Sequence, residues 1–217
     1  MEKTKLETFI KKYNLSGTVE GVVWSNDGQN NLSTTAMTSD RKLFVTTQLK
    51  DGAQFFNGVE IPIPDTTKLK KMLSPLSENV SLSLDVDEKD QTRVRQLIAE
   101  DSKVKVNYMA ASKDIIDPVP KMKNIPQFDV EIVISPEFVE TYTKSFSSVN
   151  DDQALFTLVM SKQKQKLEMV FGYRNSNMSS DKISLEVITN NGKSVVKDPI
   201  SFNAKHLKEI LNANSEV

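Results

Sequence analysis

The sequence predicts an α+β fold of two similar domains, each a set of antiparallel strands backed by short helices. Three observations carry that prediction. Strict apolar–polar alternation recurs along the chain, only four segments have helical spacing, and a helix with its lead-in near residue 70 is written again near residue 207.

The alternation is clearest in five places. Val80, Leu82, Leu84 and Val86 face one way in VSLSLDV, with Ser81, Ser83 and Asp85 facing the other. Val104, Val106 and Tyr108 alternate with Lys103, Lys105 and Asn107. Phe128, Val130, Ile132 and Ile134, then Leu167, Met169, Phe171 and Tyr173, then Ile183, Leu185 and Val187 repeat the pattern. Each predicts a strand with one dry and one wet face. Weaker strands are predicted over Thr18–Trp24, Ser33–Met37, Lys42–Leu49, Val94–Ala99 and Ala154–Ser161. Asn26-Asp27-Gly28, Asp51-Gly52 and Asn190-Asn191-Gly192 read as turns between them.

The helices follow from three- and four-residue spacing. Leu6, Phe9, Ile10 and Tyr13 form one stripe; Leu69, Met72, Leu73 and Leu76 form the second. The third opens on Ser135-Pro136-Glu137, a cap, a first-turn proline and an acid at the positive helix end, and buries Phe138, Val139, Tyr142 and Phe146. The fourth buries Leu207, Ile210 and Leu211. Residues 59–80 match residues 195–217: a proline-containing extended lead-in, a basic helix with equal leucine spacing, and a Ser-Glu-(Asn)-Val exit. The first and third helices match likewise, at a period of about 135 residues, too long for a solenoid. The predicted organisation is a first domain over 1–111, an extended proline-bearing connector over 112–127 and a second domain over 128–217.

Composition narrows the function. The chain has 217 residues, 38% of them apolar, and a net charge of −1, so attraction to nucleic acid must be local. There is no run long enough to span a membrane and no signal-peptide pattern at the N-terminus. The absence of cysteine excludes disulfides and thiolate metal sites and fits a reducing compartment, the cytoplasm. The one histidine, His206, lies within a helix, where it reads as a boundary residue rather than a general base. No nucleophile, phosphate-loop or zinc motif is present, so neither enzyme activity nor a cofactor is expected. Asp85, Asp87 and Asp90 lack the mid-loop glycine and distal glutamate of a calcium loop and read as a solvated hairpin turn. The helices are moderately basic: lysine is ordinary on an exposed helix face, unless several faces lie on one side of the sheets.

The order of elements, the duplication, the basic helices KLKKML and HLKEIL and the long connector resemble the DNA polymerase sliding clamps. The nearest type is the trimeric phage processivity factor, related in fold to PCNA. The resemblance implies curved sheets outside a ring, helices lining a hole around duplex DNA, and DNA polymerase and a clamp loader as partners. It implies Lys5, Lys11, Lys12, Lys68, Lys70, Lys71, Lys144, Lys205 and Lys208 near the phosphates. It implies a homotrimer closed by strand edges, with Lys103, Val104, Lys105, Val106 and Tyr108 of one subunit meeting Ile183, Leu185 and Val187 of the next. It also implies a pocket for partner peptides at Met122, Ile125 and Pro126, a stretch that reads equally well as an inert linker. In the second domain the sequence ends where the first continues through about three strands, so a truncated or minimal second domain is expected. The alternative reading is a structural or assembly protein of two α+β domains without DNA binding.

Overall fold

The computed structural model describes residues 1–56, 58–120, 128, 130–149, 154–161, 166–174, 181–190 and 196–214. The chain forms two compact units, Met1–Lys121 and Met122–Val217.

The first unit runs α1 (Lys3–Asn14), β1 (Val22–Asn26), β2 (Leu32–Met37), β3 (Phe44–Leu49), β4 (Ile61–Ile63), α2 (Thr66–Leu73), β5 (Ser81–Val86), β6 (Val94–Glu100) and β7 (Lys105–Met109). Its two antiparallel sheets have the orders β3-β2-β1-β4 and β5-β6-β7. Both helices and both sheets share one core, with Leu6, Phe9, Ile10 and Tyr13 from α1, Leu69 and Leu73 from α2, and Trp24, Ile61, Leu97 and Tyr108 from the strands. All four residues of the first predicted stripe are in it.

The second unit runs α3 (Pro136–Val149), β8 (Leu155–Met160), β9 (Leu167–Phe171), β10 (Ile183–Glu186), β11 (Ile200–Asn203) and α4 (Ala204–Ala213). Its antiparallel sheet has the order β10-β9-β8-β11, the arrangement of the first sheet with the strands renamed. Tyr142, Phe146, Phe156, Met169, Phe171 and Leu211 form its core.

Local chemistry fixes the helix starts. Asp65 accepts the Lys68 amide at 2.7 Å, Asn203 the His206 amide at 2.9 Å and Ser135 Oγ the Phe138 amide at 3.1 Å. Glu2, at the start of α1, makes no such cap. There Glu78 substitutes from far along the chain, accepting the Thr4 amide at 3.2 Å and the Thr4 hydroxyl at 2.9 Å.

Two strand expectations are corrected. Residues 128–134 form no strand among the described residues: Ile132 makes an isolated bridge with Thr189, and Val133 donates to the Ile188 carbonyl at 2.9 Å. The helix start at Ser135-Pro136 takes the chain out of the sheet before a ladder can form. The strand expected from Thr18 begins at Val22, because Leu15–Gly17 is a 3-10 turn whose three residues all have positive φ, and Glu20 is engaged with α2.

Candidate nucleic-acid interface

In the first unit, α1 and α2 pack against each other and press their apolar faces into the core. That arrangement leaves the lysines outside. Lys5, Lys68, Lys70 and Lys71 are exposed; Lys11 and Lys12 are half-buried. At 100° per residue, Lys71 centres the outer face of α2, with Lys68 and Lys70 on its flanks. No salt bridge or side-chain hydrogen bond engages the ammonium groups of Lys68, Lys70 and Lys71 among the described residues. Lys5 is paired with Glu2 at 2.9 Å. Lys3 is structural: its ammonium donates to the Ser74 and Leu76 carbonyls, both at 2.8 Å, and closes the C-terminal end of α2.

The second unit presents its lysines differently. α3 and α4 also pack together. Lys144 donates to Glu140 at 2.6 Å, and this partner holds the Glu140 carboxyl below its ordinary range. Lys208 lies 4.9 Å from the centre of the Phe146 ring, in a cation–π contact. Lys205 is exposed. His206 is half-buried, its amide bound to the Asn203 cap.

β7 and β10 are edge strands, each paired on one side only among the described residues, and beyond β10 the Ile188 carbonyl and Asn190 amide bond to Val133 and Glu131. Of the side chains expected there, Val106, Tyr108, Leu185 and Val187 are buried within their own units. The Tyr108 hydroxyl donates to the Asp65 carbonyl at 2.9 Å and accepts the Asp65 amide at 3.0 Å. Val104 and Ile183 are half-buried, while Lys103 and Lys105 are exposed. The large apolar side chains standing free beside these edges are Met109, 60% exposed, and Ile188, 67% exposed. The sequence signal for both was an apolar residue directly after the alternating run, out of phase with the core face. Met122, Ile125 and Pro126 lie outside the described residues.

The acidic hairpin between β5 and β6 is tied up locally. Asp85 pairs with Arg95 at 3.2 Å, Asp87 accepts the Lys89 amide at 2.9 Å and Asp90 accepts the Thr92 hydroxyl at 2.6 Å. Among the described residues no cluster of acids and histidine is placed to hold a metal ion. A groove of about 520 Å³, which sequence reasoning missed, opens on the first unit between Asn26, Val59, Arg93, Val94 and an ion pair of Lys113 with Glu60. No helix among the described residues is long and apolar enough to cross a membrane.

Two units, each with a four-stranded sheet of this order and a pair of short helices, give the fold seen in solved DNA sliding clamps. The chain is similar to Archaeoglobus fulgidus PCNA, solved with the C-terminal region of FEN-1 bound: 16% identity, TM-score 0.64, 98% of this chain and 81% of that one. It is similar as well to the beta subunit of DNA polymerase from Streptococcus pyogenes, at 12% identity and TM-score 0.66. The beta sliding clamp of Caulobacter crescentus matches at 14% identity and TM-score 0.62. Each match covers 98% of this chain, but the chain spans only 55% of either bacterial protein. No protein-family model matches the sequence, and no curated protein matches it.

Proposed function

We propose that the chain is a phage-type sliding clamp: three copies close a ring around duplex DNA and tether DNA polymerase, after loading by a clamp loader. The observation that carries the reading is a clamp fold whose paired helices press apolar residues inward and hold lysines outside, Lys68, Lys70 and Lys71 of α2 foremost. Lysines on flexible stems attract phosphate without reading base edges, which a protein that must slide requires. Lys5, Lys11, Lys12, Lys68, Lys70, Lys71, Lys144, Lys205 and Lys208 are assigned to the DNA side. The ring closes between the β7 and β10 edges, and residues 112–127 connect the domains 1–111 and 128–217. Met122, Ile125 and Pro126 contact the tail peptides of polymerase and loader. The protein works without catalytic group or cofactor, in the host cytoplasm.

A topological experiment tests this. Protein loaded on a nicked circular duplex should resist a high-salt wash and be released when the circle is cut once. Equal retention on circular and linear DNA would contradict encirclement, and absence of retention on both would favour the assembly-protein alternative.

A further inference from the structure

We propose that the grip on duplex DNA is one-sided within each chain, carried by the α1–α2 face of the first unit and scarcely by α3 and α4. The inference rests on the clamp reading and goes beyond it, since that reading assigns lysines of both units alike.

The two helix pairs differ in charge. α1 and α2 contain seven lysines and one acid, Glu7. α3 and α4 contain three lysines and three acids, Glu137, Glu140 and Glu209. The second pair is therefore neutral as a whole, with Lys144 engaged by Glu140 and Lys208 by the Phe146 ring, while in the first pair Lys3 is engaged by the carbonyls at the end of α2 and Lys5 by Glu2.

Folding accounts for only part of the charge on α2. Lys70 and Lys71 lie in its last turn, where a cation complements the helix dipole. Lys68 is the third residue of the helix, at the positive end of the dipole, where a cation is disfavoured. Lys68 and Lys71 are also like charges three residues apart, and the helix has no acid among its eight residues to offset them. Asp65 and Glu20 serve the positive end of α2 by accepting the Lys68 and Thr67 amides, so the three ammonium groups on its outer face are left for an external polyanion such as a phosphate backbone crossing α2. In α3 the dipole is served conventionally, with Glu137 in the first turn.

Salt dependence reads out the asymmetry. Each lysine that neutralises a phosphate adds about 0.9 to the slope of log K against log salt on B-form DNA. The full chain is titrated against a fluorescein-labelled 30-base-pair duplex by anisotropy over a range of NaCl concentrations. Lys68→Gln with Lys70→Gln and Lys71→Gln should reduce the slope by about 2 to 3, and Lys144→Gln with Lys205→Gln by well under 1. The three arginine substitutions on α2 should keep the wild-type slope, which separates lost charge from damaged folding. An equal loss per lysine in the two units overturns the one-sided grip while leaving duplex binding intact. A wild-type slope near zero overturns duplex binding itself, and the asymmetry with it.

Discussion

Tyr13 and Tyr142 each sit, fully buried, on the first helix of a unit and reach the start of the second, but they carry different obligations. The Tyr142 hydroxyl donates to the Ala204 carbonyl at 2.7 Å. The Tyr13 hydroxyl accepts the buried Trp24 indole N–H at 3.2 Å and lies 3.4 Å from Thr66 Oγ1. Burial pushes both phenols above their ordinary range, so both stay neutral at physiological pH. Tyr13→Phe strands the indole donor in an apolar core and should cost about 1–3 kcal/mol in urea unfolding, whereas Tyr142→Phe, which leaves only a carbonyl with a second lone pair, should cost about 1 kcal/mol. Equal costs would show that the indole is not held by Tyr13. Asp101 is the residue on which acid sensitivity should focus. Its carboxylate accepts the amides of Ser77 at 2.6 Å, and of Lys103 and Val104 at 2.7 Å, which hold it well below the usual carboxylate range. The folded-state pKa is depressed, so its contribution is complete above the unfolded value of about 4 and fades as pH falls from there toward the folded one. Asp101→Asn should flatten the pH dependence of the melting temperature below about pH 4; an unchanged profile would place that dependence on other carboxylates.

At the scale of elements, Gly172 follows directly on β9. Its φ is +71°, and a Cβ there would lie 2.5 Å from the Asp181 carbonyl oxygen. Gly172→Ala therefore meets a left-handed backbone cost of about 1–2 kcal/mol as well as a collision with main chain, and should lower the melting temperature by several degrees. Wild-type melting would mean that the chain at Gly172 opens without strain. The helices were legible in the sequence because stripe and cap agree: Ser135, Asp65 and Asn203 each precede an apolar run and each accepts the expected amide. Strand interiors were legible through alternation, as the buried Leu167, Met169 and Phe171 illustrate. Strand starts were not, because Leu15, Ser16 and Arg41 adopt positive φ with no residue type to announce it. Alternation also marks an apolar face without saying what covers it. The dry face that alternation gave Val106 and Tyr108 is covered by their own core, and Lys144 and Lys208 have partners within the second unit that no spacing announces.

For the whole molecule, the proposed ring needs its strand edges to close on another copy, and the described edges have the means. An unpaired edge exposes backbone donors and acceptors, which soluble proteins usually blunt with charge or cover. The β7 edge carries Lys103 and Lys105 at its start but ends at the exposed Met109, and β10 is followed by Ile188, whose side chain is exposed although its carbonyl accepts the Val133 amide. Met109 and Ile188 each gain from burial, whereas Val106 and Leu185 are already buried. The three-copy ring proposed above should sediment at three times the mass of the chain and dissociate on dilution as mass action requires. Met109→Lys with Ile188→Lys places like charges at both edges and should yield single chains with unchanged circular dichroism. A trimer that survives both substitutions would place the contact between copies elsewhere than at these edges, and a wild-type protein that sediments as one chain at high concentration would leave the ring without a means of closure.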